Sequence, residues 1–309
     1  MIVTVTMNPA IDKTVDIDRM ERGGLNRIKR IEVDAGGKGI NVSKTIQALG
    51  GTSIATGFLG GNSGKLIQEV LIGQGIQHDF VMLQGETRTN TKVVESAGEV
   101  TELNEAGLSV PDDKMQELLS KLEGYAGPET LFVLSGSVPA GVDKGIYGKI
   151  TEMVHQKGST VLLDADGELF VKSLPSKPDM MKPNREELEE YYKMDYRANE
   201  KELLHIGQDF LNNGTKQIAI SMGRQGALFL STEGCFRCPG LSVKAHSTVG
   251  AGDAMVAALA YSWDAGYTKE QTMTLCMAVS AGAVTTIGTK PPTKDVVEEL
   301  KKQVVIEAI

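Results

Sequence analysis

A glycine-rich turn followed by an acidic residue is the most informative feature of the sequence. Residues 247–254 read Ser-Thr-Val-Gly-Ala-Gly-Asp-Ala, between a predicted strand at 241–246 and an apolar helix. Glycines at such a turn leave backbone N–H groups free at the helix N-terminus, where the helix dipole favours an anion. The Asp253 carboxylate can face the same cavity and orient or deprotonate an attacking hydroxyl group. The pattern predicts a phosphoryl-transfer site; the alternative is an ordinary helix cap.

A second glycine-rich segment opens another predicted helix. Residues 35–42 read Ala-Gly-Gly-Lys-Gly-Ile-Asn-Val. The glycines allow a ligand to approach the backbone, Lys38 adds a positive charge, and the Asn41 amide can bond sugar hydroxyl groups. Neither this segment nor 60–66 has the spacing of a P-loop, and the first strand is not followed by the G-x-G-x-x-G of nicotinamide dehydrogenases. The alternative interpretation of these glycines is a flexible hinge.

Three further polar segments follow predicted strands. In Lys-Pro-Asn-Arg-Glu-Glu at 182–187, Asn184 and Glu187 share one helix face and could hold water or a hydrated Mg²⁺. The same Asn-x-x-Glu spacing is also typical of a capping box. Residues 221–226, Ser-Met-Gly-Arg-Gln-Gly, suit either a hairpin turn or a backbone clamp for a nucleotide, and Ser-Gly-Ser-Val-Pro at 135–139 is equally ambiguous.

The elements that would position these residues alternate along the chain. Predicted strands cover 2–7, 53–58, 130–134, 160–164, 180–182, 217–221 and 227–230. Predicted helices cover 39–49, 63–72, 112–122, 144–156, 185–192, 200–212, 252–263, 269–285 and 294–304. Such alternation favours βαβ units and a mainly parallel sheet covered by helices on both faces. Period-two patterns in 12–34 and 87–104 predict antiparallel strands with one exposed face, which we interpret as a small β-lid on the core.

Composition excludes several classes of protein. The chain has 309 residues, 41% of them hydrophobic, and a net charge of −8, so no overall positive field attracts nucleic acid or anionic lipid. The N-terminus lacks the features of a signal peptide, and the most apolar helical stretch is about half the ~20 residues that span a bilayer. Three cysteines cannot all pair, and the Cys-x-x-Cys at 235–238 suits a hairpin better than a metal or redox site. We therefore expect a cytoplasmic protein without nucleic-acid or membrane partners.

Together and in this order, the motifs resemble those of the ribokinase-like (PfkB-type) carbohydrate kinases across essentially the whole chain. Residues 36–43 resemble the first family signature and 247–253 the second. Residues 6–12, before the first signature, resemble the opening of the family's sugar-phosphate branch. Four further segments lie between the two signatures in the family's order: Thr-Arg-Thr-Asn at 87–90, and residues 135–139, 182–184 and 221–226. The resemblance implies one kinase domain over 1–309, with a three-layer α/β/α core, a mainly parallel sheet and a β-lid over the sugar. It also implies ATP and Mg²⁺ as cofactors.

The resemblance also assigns roles to single residues. Gly250, Ala251 and Gly252 would form an anion hole beside Asp253, the catalytic base. The sugar phosphate would contact Asp12, Gly37, Lys38, Asn41, Arg88, Ser137 and Asp253. The nucleotide would contact Lys182, Asn184, Ser221, Gly223, Gly226, Thr248, Gly250 and Gly252. Asn184 and Glu187 would hold Mg²⁺ through water.

Within the family, Gly-Gly-Lys-Gly with Thr-Arg-x-Asn most resembles 1-phosphofructokinases and tagatose-6-phosphate kinases, and Gly-Gly-Leu-Asn-Arg at 23–27 favours the former. This implies phosphorylation of D-fructose 1-phosphate to D-fructose 1,6-bisphosphate. Tagatose-6-phosphate kinase, 6-phosphofructokinase and a non-catalytic sugar-phosphate sensor are the alternatives. Asp-Ala-Asp-Gly at 164–167 departs from the Asp-Ser-Ser-Gly usual in relatives. By analogy with the family's lids, we also expect a homodimer formed through the lid.

Overall fold

A large β-sheet runs through the centre of the molecule, and four further strands form a second sheet. The computed structural model describes residues 1–246, 248–286 and 288–309. Their strands are β1 (Ile2–Thr6), β2 (Ala10–Ile17), β3 (Arg30–Gly36), β4 (Ile54–Gly60), β5 (Gln77–His78), β6 (Val81–Leu83), β7 (Thr89–Glu95), β8 (Val100–Asn104), β9 (Leu131–Ser135), β10 (Thr160–Asp164), β11 (Met180–Met181), β12 (Gln217–Ser221), β13 (Ala227–Ser231), β14 (Gly234–Cys238) and β15 (Glu307–Ala308).

The helices fall between the strands, as the alternating sequence pattern predicts. They are α1 (Lys38–Leu49), α2 (Gly61–Gly73), α3 (Asp112–Tyr125), α4 (Ile146–His155), α5 (Gly167–Ser173), α6 (Arg185–Tyr191), α7 (Glu200–Asn212), α8 (Ala251–Asp264), α9 (Lys269–Ala283) and α10 (Lys294–Lys301). Among the described residues, none of these helices combines the length and the hydrophobicity needed to cross a lipid bilayer.

The main sheet confirms the predicted α/β class. Its strand order is β15-β14-β13-β12-β11-β10-β9-β1-β4-β5, with β6 also paired to β4. The strands from β12 to β5 pair in parallel, whereas β13, β14 and β15 continue the sheet in antiparallel pairs. The carboxyl ends of parallel strands meet at one edge, which is where open α/β sheets bind their ligands.

Alternate residues of each central strand point into two separate cores. In β9, Phe132 and Leu134 pack with α3, α4 and α7, whereas Leu131 and Val133 pack with α1, α8, α9 and α10. Period-two alternation puts neighbouring side chains on opposite faces, so a strand that is buried throughout requires helices on both sides. The three-layer α/β/α arrangement is therefore confirmed.

The second sheet has the order β3-β2-β7-β8 and contains both stretches predicted as a lid. The hairpins β2–β3 and β7–β8 are antiparallel, as predicted, but β2 and β7 pair in parallel. The expectation of purely antiparallel strands was wrong for this central pair. The chain passes through α1, β4 and α2 between β2 and β7, and only a long crossover of this kind can return a strand in the same direction.

The predicted strand at 241–246 was also wrong. The neighbouring Gly240 approaches the Arg224 carbonyl oxygen so closely that a Cβ atom would lie 2.2 Å from it, and the chain leaves the sheet there. The free edge of β14 is instead taken by β15, which the sequence analysis missed along with the short helix α5. The hairpin interpretation of the Cys-x-x-Cys segment is confirmed, because it forms β14 and its cysteines are free thiols.

Candidate active site

The turn before α8 has the geometry that its glycines predict. Gly250, the residue before the helix, has φ 86° and ψ −9°, a left-handed conformation that favours glycine. The N–H groups of the first helical turn have no partner within the helix, so Ala251 and Gly252 can offer theirs to an anion. Asp253 lies in that turn with only 9% of its surface exposed. Thr248 is exposed in the preceding loop, and Ser247 lies outside the described residues.

The first glycine-rich segment reaches the same place through α1. Gly37 has φ 112°, and a Cβ atom at Gly39 would lie 2.4 Å from the Thr6 hydroxyl oxygen, so glycine lets α1 pack closely on β1. One turn later, the Asn41 side-chain amide donates a 2.8 Å hydrogen bond to Asp253 Oδ2. The segment forms a closely packed helix start, which favours the ligand-binding interpretation over a flexible hinge.

Two lysines and a second acidic residue lie beside this pair. Asp164, the last residue of β10, lies 3.4 Å from Lys38 Nζ through Oδ2 and 3.3 Å from Lys182 Nζ through Oδ1. Lys38 is the first residue of α1, and Lys182 follows β11. A Cβ atom at Gly252 would be 3.5 Å from the Lys182 ammonium nitrogen, so this cation adjoins the anion-binding turn.

Burial has the largest effect on the proton affinity of the Asp253 carboxylate. It raises the pKa of Asp253 to about 6, and repulsion from Asp164 acts in the same direction. The Asn41 hydrogen bond and the charges of Lys38 and Lys182 oppose this rise. Asp164 in turn raises the pKa of Lys38 and keeps that lysine charged. A carboxylate with a pKa of about 6 is largely ionised at pH 7 and can still accept a proton, as a general base requires.

The proposed Mg²⁺ residues form a capping box at the start of α6. Asn184 Oδ1 accepts a 2.7 Å hydrogen bond from the Glu187 amide, and Glu187 Oε2 accepts one of 2.8 Å from the Asn184 amide. Within the described residues, no cluster of three or more histidine, cysteine or acidic side chains could hold a metal. In kinases, Mg²⁺ binds mainly phosphates and water. Two groups of this capping box remain available for contacts to the metal's water molecules. They are Glu187 Oε1, which takes no part in the capping hydrogen bonds, and the side-chain amide of Asn184.

The 221–226 segment is a hairpin turn between β12 and β13. Ser221 forms a bridge to Asn184, and its amide donates a 3.0 Å hydrogen bond to the Pro183 carbonyl oxygen. Gly223 starts a 3₁₀ turn with open space around it. At Gly226, by contrast, a Cβ atom would lie 2.0 Å from the Cys238 carbonyl oxygen, so this glycine is required for packing within the sheet.

The expected sugar-side residues lie at the junction of the two sheets. Asp12, in β2, is half-buried and accepts a 3.5 Å hydrogen bond from Asn90, and its burial raises its pKa. Its carboxylate packs against Gly36, where a Cβ atom would be 2.3 Å from Oδ2. Ser137 is exposed in the loop after β9.

Arg88 precedes β7 and is tied to the backbone. Its Nη1 donates a 3.1 Å hydrogen bond to the Glu105 carbonyl oxygen, and Nη2 donates one of 3.0 Å to that of Asn8. Its Nε is buried, and burial lowers the pKa of the guanidinium. These contacts show that Arg88 is held against the backbone and is not a freely solvated surface charge. Lys38, paired with Asp164, is likewise not a free loop lysine.

Asp164 is a site residue that was not predicted from the sequence motifs, where residues 164–167 stood out only as a departure from the pattern usual in relatives. A usable signal was present, because Asp164 is an acidic residue at the carboxyl end of an otherwise apolar buried strand. That position in a parallel sheet faces the ligand edge.

Comparisons with known proteins agree with this geometry. The sequence matches the pfkB family of carbohydrate kinases over residues 5–295. The protein belongs to this family. It is 35% identical over 288 residues to the 1-phosphofructokinase of Borreliella burgdorferi, covering 93% of this chain and 92% of that protein. It is 32% identical over 306 residues, 98% of each chain, to the 1-phosphofructokinase of Bacillus subtilis.

A solved structure gives the same result for the fold. Phosphofructokinase-2 from Escherichia coli, in complex with fructose-6-phosphate, superposes with a TM-score of 0.90 at 25% identity over 98% of both chains. The same enzyme has a tetrameric inhibited form, also with a TM-score of 0.90, at 26% identity. The ribokinase-like fold is confirmed, and the protein is a sugar kinase, a phosphotransferase that uses an alcohol group as acceptor.

Proposed function

We propose that this sugar kinase phosphorylates D-fructose 1-phosphate with ATP, giving D-fructose 1,6-bisphosphate and ADP. The observation that carries the proposal is the buried Asp253 carboxylate in the first turn of α8, bonded to Asn41 of the other signature. Similarity to 1-phosphofructokinases over nine-tenths of the chain supports this choice of substrate.

In the proposed mechanism, Asp253 accepts the proton of the sugar's primary hydroxyl group. The hydroxyl oxygen bonds to the γ-phosphorus, and the bond from that phosphorus to the β,γ-bridging oxygen breaks to release ADP. The N–H groups of Gly250, Ala251 and Gly252 stabilise the charge on the transferred phosphoryl group. Asn184 and Glu187 would hold the water molecules of a bound Mg²⁺, which would supply positive charge to the phosphates of ATP. Positive ammonium groups at Lys38 and Lys182 add to the same stabilisation.

The sugar phosphate needs local cations because the protein carries a net charge of −8. We assign Arg88 to its phosphate, and Asp12 and Asn41 to its hydroxyl groups. Lys38, which was expected on the sugar side, is assigned instead to the transferred phosphoryl group, because it lies with Lys182 beside Asp164. Gly37 and Ser137 would complete the sugar side. A cleft of about 1080 Å³ separates strands of the smaller sheet from Arg224 and the loop containing Thr248. This cleft leaves room for the smaller sheet to move toward the core. We therefore propose that the smaller sheet is a β-lid that closes on the bound sugar, and that lid and core form a single kinase domain.

ATP would lie over the carboxyl ends of the parallel strands, opposite the lid. The groups assigned to it are Lys182, Asn184, Ser221, Gly223, Thr248, Gly250 and Gly252. Gly226 contributes by letting the 221–226 turn pack on Cys238, which fixes the position of Ser221 and Gly223.

A coupled ADP-release assay over a panel of sugar phosphates tests the substrate. We expect the highest kcat/KM with D-fructose 1-phosphate. Fructose 6-phosphate is the second candidate, because the E. coli structure with that ligand superposes over 98% of the chain. A preference for fructose 6-phosphate or tagatose 6-phosphate would replace the proposed substrate, and binding without any ADP release would indicate a sensor.

We also propose that the lid sheet forms a homodimer. The register of the sheet puts Ile31, Val33 and Leu103 on one face, and each is more than half exposed. A second copy of the chain would cover this apolar surface. Light scattering should find a dimer for the wild type and a monomer for Val33→Asp, whereas a monomeric wild type would contradict the proposal.

The cytoplasm is the compartment that we propose. ATP and sugar phosphates are available there, and a reducing environment suits the free thiols of Cys235, Cys238 and Cys276.

A further inference from the structure

Asp164 is a buried carboxylate without a role in the mechanism above, and it lies between two of the lysines that the mechanism uses. Asp164 is only 2% exposed, and its two oxygens lie 3.4 Å from Lys38 Nζ and 3.3 Å from Lys182 Nζ. The two lysines belong to different elements, the start of α1 and the residue after β11. One side chain at the end of β10 therefore sets the positions of cations from two separate parts of the fold.

The contacts are ionic but poorly aligned as hydrogen bonds. Charge-assisted hydrogen bonds are usually about 2.7–2.9 Å long, which is shorter than either distance. Within the described part of the chain, neither Asp164 oxygen has a well-aligned hydrogen-bond partner. Buried carboxylates normally have such partners because removal from water is costly. The lysines are thus held near Asp164 by charge and can turn toward another anion.

The surroundings indicate which anion that would be. The Lys182 side chain is only 4% exposed and adjoins Gly252 of the anion-binding turn. The Lys38 side chain runs beside Gly136, in the loop after β9. An ammonium group as buried as that of Lys182 requires a counter-charge, and a phosphate at the turn could replace part of the one that Asp164 supplies.

We propose that Asp164 is a positioning residue that holds Lys38 and Lys182 beside the anion-binding turn, where they neutralise the transferred phosphoryl group. This inference rests on the proposed kinase reaction. Asp164 offsets the two positive charges before phosphate binds, so the lysines need no large rearrangement when ATP arrives. Preorganised cations of this kind stabilise the transition state without a reorganisation cost during the reaction.

Asp164→Asn tests the role because it keeps the shape of the side chain and removes the charge. We expect kcat to fall roughly 10–100-fold as the lysines lose their placement, while the KM for ATP does not rise. Asp195→Asn is the control, since it makes the same charge change at an exposed residue in the loop between α6 and α7 and should keep wild-type kcat.

A double-mutant cycle measures whether Asp164 acts through a lysine. ADP affinity is measured by calorimetry for the wild type, D164N, K182M and D164N/K182M, which requires no sugar substrate and no turnover. The K182M substitution should weaken ADP binding more in the wild-type background than in the D164N background. In the wild-type background it leaves the negative charge of Asp164 facing the phosphates of ADP, whereas in the D164N background that charge is already absent. The double variant lacks both buried charges, so it remains informative where D164N alone folds poorly.

The outcomes are distinguishable. Wild-type kcat in D164N with only a lower melting temperature would mean a structural role, and additive losses of ADP affinity would mean that Asp164 does not act through Lys182. A higher Mg²⁺ requirement in D164N would make Asp164 a ligand of the metal's water instead. Each of these results overturns the proposal. Coupling in ADP binding without any sugar-phosphate turnover would leave the positioning role intact and reject the kinase reaction.

Discussion

The Asn41 amide nitrogen lies 2.8 Å from Asp253 Oδ2, and this hydrogen bond joins residues 212 positions apart. It connects the start of α1 to the start of α8, the two glycine-rich helix openings of the chain. The bond stabilises the ionised carboxylate and leaves Asp253 Oδ1 as the oxygen that can accept a proton. Asn41 thus orients the proposed base, in addition to its proposed contact with the sugar.

Asp253→Asn should abolish most of the activity. The amide is nearly isosteric with the carboxylate but cannot accept the proton, so we expect kcat to fall by at least ~10²-fold. Folding and ATP affinity should be preserved, as measured by thermal melting and calorimetry. Retention of more than about a tenth of wild-type kcat would be too much for an enzyme that has lost its general base.

The pH dependence of kcat/KM should show an acid limb near pH 6, where Asp253 becomes protonated as pH falls. Asn41→Leu removes a donor that lowers the pKa of this carboxyl group, so the limb should move to higher pH. Unphosphorylated fructose is the control substrate, because its profile contains no titration of a sugar phosphate. A limb that stays at the same pH in Asn41→Leu would mean that another group controls it.

Arg88→Ala should weaken binding of the sugar phosphate more than catalysis. We expect its KM to rise roughly 10–100-fold, equivalent to ~1.5–3 kcal/mol for a charged hydrogen bond, while the KM for ATP barely changes. Because Arg88 also bonds the carbonyl oxygens of Asn8 and Glu105, the variant should be less stable to heat. Fructose separates the two effects: equal losses for fructose and its phosphate would mean that Arg88 only supports the backbone.

Asn184→Ala combined with Glu187→Ala should raise the Mg²⁺ concentration that gives half-maximal activity. Both residues would contact the water shell of the metal, and such outer contacts affect metal affinity. The capping box at α6 predicts lower thermal stability as well. Thr268→Ala, which removes the cap of the distant helix α9, is the matched control for a capping loss alone. A double variant that loses stability like this control, with unchanged Mg²⁺ dependence, would reduce the pair to a cap.

Lid closure should be visible in amide hydrogen exchange. Saturating fructose 1-phosphate should slow exchange in residues 12–34 and 87–104, because closing segments exclude water from the backbone. The helix α10, which packs in the core with α9, is an internal control and should not change. Unaltered exchange in both lid segments would remove closure from the mechanism.

Local sequence patterns were sufficient to predict most of the core. The predictions for β10, β12 and α7 match the structure residue for residue, because buried runs and amphipathic periodicity depend on nearby residues. The same holds for the turn at Gly250, where the need for a left-handed residue is a local property. The positions of the two glycine-rich segments were therefore predictable.

Contacts between segments that are distant in the sequence depend on the strand order and were not predictable from one sequence. The local pattern marks Asp164 as the acidic end of a buried strand, but it does not show that β10 ends between Lys38 and Lys182. The parallel pairing of β2 with β7 is likewise a contact between distant segments. The hydrogen bonds of Arg88 to Asn8 and Glu105 depend on how the two sheets meet.

The strands at the two ends of the main sheet's order have a consequence for solubility. β5 and β15 each contain only two residues, and β15 is held by a 3.2 Å ion pair between Glu307 and Arg237 of β14. Very short edge strands offer few unpaired backbone groups to another chain, which protects a long sheet from edge-to-edge aggregation. A two-residue strand is also easily displaced. Changes that detach Glu307–Ala308 would uncover the five-residue strand β14 and make this otherwise protected sheet prone to self-association.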